Sequence, residues 1–184
     1  DGNRDIDFKG KAITVRSVDP NSASVVASTI IDAEGGLTGS EEDDHRGFIF
    51  QSGEGNDSVL AGFTIQNGYI RTDGEDGNSP GASGQPGADS LGGGIYCTGG
   101  SSPLIESCVI RGCTVEGGLG GDGIDGDGGN EDPNSGGDGG AGGAAYGGGI
   151  AADGGSEPLV VECEILNCQA IGGAGGNGGN AADD

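Results

Sequence analysis

The sequence predicts an all-β protein: a parallel β-helix of about four coils, carrying glycine-rich insertions with the character of polyglycine II. Three observations predict it. Three stretches align in register along the chain, and each alternates apolar and polar residues over a few positions. Glycine recurs every third residue in the segments between them. Aromatic residues make up only 4 % of the chain and Trp and Met are absent, too little for a conventional two-layer core. A repeat architecture needs less, because each unit buries its apolar face on its neighbours.

The aligned stretches are SVLAGFTIQNGYI (58–70), PLIESCVIRGCTV (103–115) and PLVVECEILNCQAI (158–171). Offsets of 45 and 55 residues bring Ile65, Ile110 and Ile165 into one column. Leu60, Ile105 and Val160 form a second column, and Phe63, Cys108 and Cys163 a third. Asn67, Gly112 and Asn167 make a fourth, with Gly68, Cys113 and Cys168 as a fifth. Period-two alternation is the strand signature. A shorter strand precedes each stretch: GFIF (47–50), GGIYC (93–97) and GGIAA (148–152). An earlier unit, DIDFKGKAITVRS (5–17) with SVVASTIID (24–32), adds two more alternating runs. Constant strands with inserts of variable length fit parallel strands stacked about 4.8 Å apart. An antiparallel sandwich is the alternative, but it requires no columns of like residues.

The chain is read as one domain, 1–184, with inserts at 71–92, 116–146 and 172–182, all at one point of the repeat. Gly117, Gly120, Gly123 and Gly126 keep a period of three, as do Gly136, Gly139 and Gly142, and Gly172, Gly175 and Gly178. Three residues per turn is the period of the polyproline II helix, which has no internal hydrogen bonds. Glycine lets such helices approach until their backbones pair. The inserts are therefore expected to form a small bundle; the alternative is solvated acidic loops.

Lys and Arg number 7 against 30 Asp and Glu, a formal charge of −23. Nucleic acid as a partner is excluded, since phosphate binding needs a basic surface. No apolar run is long enough for a transmembrane helix, so membrane insertion is not expected. No signal-peptide pattern is present, so any export signal is expected to have been removed or to have never been part of this sequence. The acidity suits a soluble protein in an extracellular setting or one that meets divalent cations.

DIDFKGKAITVRSVDP, GFIFQSGEGNDSVLAGFTIQNG and GGGIYCTGGSSPLIESCVIRGC resemble the right-handed parallel β-helix repeat proteins of bacterial cell surfaces and secretomes. The resemblance covers 5–70, 92–115 and 147–171. It implies a right-handed helix and leaves function open among surface structural proteins, adhesins and polysaccharide-degrading enzymes. The strand that usually precedes the DFKGKAITV unit is missing, and no capping element follows the last repeat, so both ends are expected to be open coils.

Cys108 stacks on Cys163 and Cys113 on Cys168 in adjacent coils, within the range of disulfides. Two disulfides, or a ladder of buried thiols, both fit. Cys97 has no repeat partner and is expected to be free. A zinc site is not expected around the one histidine, His45, in the acidic loop SEEDDHRG. GGDGID (120–125) opens like a calcium nonapeptide, and Asp122, Asp125 and Asp127 offer oxygen ligands. The tandem copies of a calcium roll are absent, and solvated acids are the alternative. Calcium is thus the one cofactor considered. Asn56, in NDS, matches a glycosylation sequon.

Catalysis by a lyase or hydrolase needs clustered carboxylates or a base on an outward face. The outward columns Thr64, Val109, Glu164 and Gln66, Arg111, Leu166 supply neither, so no enzymatic activity is expected. The expected function is that of an extracellular or cell-surface structural subunit, self-associating head to tail into a filament through its uncapped strand edges. The alternative is an adhesin or glycan-binding spike, or a piece of one. Three Tyr and four Phe leave few aromatic rings for sugar stacking.

Overall fold

A computed structural model describes residues 3–36, 43–127 and 135–182. Residues 40–42 of the acidic loop and 128–134 of the second insert lie outside the described residues. The chain divides into two compact units. The first comprises Asp1–Ile70, Leu91–Val115 and Tyr146–Ala170; the second comprises Arg71–Ser90, Glu116–Ala145 and Ile171–Asp184.

Short parallel strands dominate. One sheet takes β1 (Ile6–Asp7), β4 (Phe48–Phe50), β9 (Ile95–Cys97) and β14 (Ile150–Ala152), in that order. The next takes β2 (Thr14–Arg16), β5 (Val59–Ala61), β10 (Leu104–Glu106) and β15 (Leu159–Val161). A third takes β3 (Ile30–Asp32), β6 (Thr64–Gln66), β11 (Val109–Arg111) and β16 (Glu164–Leu166), and a fourth β7 (Tyr69–Ile70), β12 (Thr114–Glu116) and β17 (Gln169–Ile171). Strands β8 (Ser90–Leu91) and β13 (Ala145–Tyr146) pair separately. The pairings reproduce the sequence columns: Ile105 faces Leu60 and Val160, and Ile110 faces Ile65 and Ile165.

Each aligned stretch bends twice and yields three short strands. The residues at the bends explain this. Asn67, Gly112 and Asn167 have φ of 56°, 59° and 53°, and Gly62, Ser107 and Glu162 have 74°, 50° and 51°. This left-handed conformation turns the chain between one sheet and the next, and asparagine and glycine tolerate it best. Ser107 and Glu162 are held in it against their preference.

The run SVVASTIID departs from the expected strand. Ala23–Ser28 form a helix, α1, and only Ile30–Asp32 are extended. In the later repeats two residues join the strands of the second and third sheets. The first repeat has thirteen there, room for a helical turn. Val26 is buried, and its carbonyl accepts the Thr64 hydroxyl at 2.9 Å, so tertiary contact overrides the β-branched pattern.

The core of the first unit is built from the inward columns. Leu60, Ile65, Ile95, Ile105 and Ile110 are fully buried, each contributing about 1.5–3 kcal/mol by removal from water. Phe8, Phe48, Phe50 and Phe63 cluster at the end of the first two repeats, Phe8 meeting Phe50 edge-on at 4.9 Å. Further along, Cys97 takes the place of Phe50, and Cys108 that of Phe63.

In the second unit, five extended segments (72–77, 81–90, 117–126, 136–144 and 171–182) bond to each other at intervals of three residues. Segment 117–126 donates from Gly117, Gly120, Gly123 and Gly126 to Ile171, Ala174, Asn177 and Asn180, running in the same direction. It donates from Gly118, Gly121 and Ile124 to Ala88, Gln85 and Ala82, running in the opposite direction. Gly137, Gly140 and Gly143 donate back to Ile124, Gly121 and Gly118. Glycine is required at these contacts: a Cβ on Gly118 would overlap the Thr72 carbonyl oxygen, and one on Gly121 the Glu75 carbonyl.

Candidate functional site

The residues most exposed relative to their place in the pattern lie on the strands of the fourth repeat. Val160 is 41 % exposed and Ile165 52 %, whereas their column partners Ile105 and Ile110 are fully buried. Leu159, Val161 and Leu166 are exposed beside them. Strands β14, β15 and β16 are sheet edges, as are β1, β2 and β3 at the other side of each sheet. An edge strand carries unpaired N–H and C=O groups that can template another strand. Apolar columns and free backbone groups therefore coincide on one face.

Charge is uneven along the same stack. Lys9, Lys11 and Arg16 are exposed in the first repeat, and none forms an ion pair among the described residues. The fourth repeat carries Asp153, Glu157, Glu162 and Glu164 and no basic residue. Asp153 Oδ2 accepts the Tyr96 hydroxyl at 2.9 Å, while Oδ1 is buried without a hydrogen-bond partner. Tyr96 in turn packs under Arg46, whose guanidinium lies 4.9 Å from the ring centroid and donates to the Leu91 carbonyl.

Two polar ladders tie the repeats together, and pattern reading missed both. Glu54 is buried, and its carboxylate accepts Gly10 N–H at 2.8 Å, Ser52 N–H at 2.9 Å and Ser101 Oγ at 2.8 Å, linking three repeats. Desolvation pushes its pKa up, but these hydrogen bonds outweigh it and leave the group below the ordinary value of 4.5. On the third sheet, Arg111 donates to Gln66 Oε1 at 3.0 and 2.6 Å, and Gln66 donates to Asp32 at 2.6 Å. Asp32 is lowered despite desolvation, by hydrogen bonds from Gln66, Asn67 and Glu34 N–H and by the charge of Arg111. The alternation marked neither, because Glu54 sits in the turn between β4 and β5 and Asp32 lies in the outward column of Gln66 and Arg111.

Of the expected outward columns, Thr64 is buried, its hydroxyl bonded to the carbonyl of Val26 in α1. Beside α1 runs a groove of about 600 Å³ lined in part by Asn21, Ser107, Arg111, Glu162 and Glu164. Arg111 there is already committed to Gln66. His45 is held by Asp5 Oδ2 at 2.6 Å.

All five cysteines are free thiols in this structure. Cys108 and Cys163 are neighbours, with Cys108 N–H donating to Cys163 Sγ at 3.4 Å, and Cys113 adjoins Cys168. The outer thiol of each pair accepts a hydrogen bond from the inner one, which favours its thiolate: Cys163 falls to about 7 and Cys168 to about 6. The inner thiols, Cys108 and Cys113, are raised by the same bond and by burial. Burial, with the Glu54 charge nearby, pushes Cys97 up to about 12.

The acids considered for calcium are not brought together. Asp122 Oδ1 accepts Asn177 N–H at 2.7 Å and Asp125 Oδ1 accepts Asn180 N–H at 2.6 Å, one period apart along the segment. Asp73, Asp76 and Asp89 do the same for Leu119, Asp122 and Ala144. These carboxylates satisfy the backbone N–H groups that the glycine ladder leaves over. No group of three metal-ligating side chains occurs among the described residues. Asn56 is exposed in the turn before β5.

The fold places this chain among all-β proteins of stacked parallel strands. No protein-family model, curated protein or solved structure matches it.

Proposed function

We propose that this chain is a right-handed parallel β-helix of about four coils whose insertions form a polyglycine II-like bundle, and that it serves as a non-enzymatic extracellular structural subunit assembling head to tail. The parallel sheets, whose strands recur in the same order in every repeat, support the helical reading. The three-residue bonding interval, with no positive φ among the described insert glycines except Gly81 and Gly92, supports the polyglycine II reading.

The single observation that carries the functional reading is the exposure of Val160 and Ile165 in columns whose inner members Leu60, Ile105, Ile65 and Ile110 are fully buried. A second copy whose first repeat pairs with β14, β15 and β16 buries them and saturates both sheet edges. Such a contact joins different surfaces on the two copies and does not close, so it propagates as a fibre. Electron microscopy of the purified chain over a concentration series tests this. Filaments with a uniform axial repeat are expected. Dispersed short rods at every concentration would overturn the reading and direct attention to glycan binding by a spike.

A further inference from the structure

We propose that the contact between copies has one fixed register, in which Lys9 and Lys11 of one copy lie over Asp153 and Glu157 of the next, forming an electrostatic latch beside the apolar columns. The inference rests on the head-to-tail reading and specifies it.

The register follows from pairings within the chain. Ile6 pairs with Phe48, Phe48 with Ile95, and Ile95 with Ile150. Val15 pairs with Leu60, Leu60 with Ile105, and Ile105 with Val160. Ile31, Ile65, Ile110 and Ile165 continue likewise. Adding one more step places Ile6, Val15 and Ile31 of a second copy on Ile150, Val160 and Ile165. All three columns continue apolar on apolar. A slip of one residue would point every side chain of the incoming strands to the wrong face.

The same step aligns the turn that follows the first sheet. Lys9 is three residues past Ile6, as Asp153 is three past Ile150. Lys11 is three residues before Thr14, and Ser156, beside Glu157, is three before Leu159. Strands about 4.8 Å apart bring these side chains within ion-pair reach. Lys9, Lys11 and Glu157 are exposed, and Lys9 and Lys11 pair with no carboxylate among the described residues. Asp153 is half-buried with Oδ2 held by the Tyr96 hydroxyl at 2.9 Å, so the exposed Glu157 is the more accessible of the two acids to an incoming lysine. In a chain of charge −23, the first repeat mixes Lys9 and Lys11 with Asp5, Asp7 and Asp19, while the fourth carries acids alone, so the lysines are the attractive element of this contact. Complementarity of this kind fixes register and partner more than it adds affinity.

The test uses two variants of the full chain, K9E/K11E and D153N/E157K. Each alone sets like charges, or an unmatched amide, against its own kind. Each is expected to raise the critical concentration for assembly by about tenfold or more, on the order of 1.4 kcal/mol. An equimolar mixture restores complementary contacts in alternation and is expected to form filaments at the wild-type concentration. That rescue also shows that neither variant is merely misfolded. Wild-type filaments with both variants assembling normally, or with circular dichroism unchanged and no rescue on mixing, would overturn the latch and leave the head-to-tail reading standing. Wild-type protein that never assembles would overturn both.

Discussion

At the scale of single residues, Glu54 does more than its position suggests. Its buried carboxylate gathers two backbone N–H groups and a hydroxyl from three repeats. Glu54→Gln keeps the shape but turns an amide NH₂ toward donors. We expect a loss of about 1.5–3 kcal/mol in urea unfolding, the range for hydrogen bonds to a charged group. The pH dependence follows from the direction of the shift. A carboxyl held below its ordinary 4.5 in the folded state contributes stability that is fully present above that value. The contribution is lost as pH falls through the folded pKa, so the wild type loses stability on acidification and the Gln variant loses less. Comparing unfolding midpoints at pH 7 and pH 3 checks the sign. The thiols order themselves by the same physics. Cys163 and Cys168, half-buried and lowered, should react with iodoacetamide at pH 7.5 well before Cys97, which is buried and raised to about 12. Peptide mass spectrometry over a time course reads that order. Equal labelling of all five would contradict it.

At the scale of elements, the glycine segments depend on where each glycine points. Gly121 meets the Glu75 carbonyl so closely that no Cβ fits, while Gly172 has open space around its Cα. Gly121→Ala should therefore raise amide exchange throughout segments 72–90 and 117–126, whereas Gly172→Ala should leave it unchanged. Hydrogen exchange by mass spectrometry separates the two; equal effects would mean that packing does not order the bundle. The period of three was legible because the backbone contact itself selects the residue. The inward columns were legible for a similar reason, since Ile65 and Ile110 share one fully buried environment and Ile165 keeps the same residue type in register with them. The helix at Ala23–Ser28 was not. Nothing local marks SVVAST as helical, and its structure is set by the length of chain between β2 and β3 and by Thr64 beneath it. The bends at Ser107 and Glu162 were equally hidden, because neither residue favours the conformation its repeat position imposes. The role of Asp122 and Asp125 could be narrowed to acids on a glycine segment, but their backbone partners, Asn177 and Asn180, sit 55 residues away and leave no local trace.

At the scale of the whole molecule, charge and burial oppose each other in the proposed assembly, and ionic strength decides which dominates. Four strand spacings make a rise of about 19 Å per copy. Each copy carries −23, so successive copies repel across that distance. The Debye length is about 30 Å at 0.01 M salt and about 8 Å at 0.15 M. Repulsion between copies therefore acts at full range in dilute salt and is largely screened at physiological strength. The Lys9 and Lys11 contacts act over a few ångströms and survive at 0.15 M, but a Debye length of about 3 Å at 1 M weakens them too. The apolar columns at Val160 and Ile165 do not depend on screening in this way. Assembly followed by light scattering should thus be weakest near 0.01 M salt and rise steeply toward 0.15 M. It should change little beyond that for the wild type, since the apolar contact carries most of the free energy. The K9E/K11E variant should recover part of its deficit at 1 M, where like charges no longer repel. A wild type that assembles best at 0.01 M would mean that the ends attract mainly by charge, and that burial of the exposed columns is not what holds the copies together.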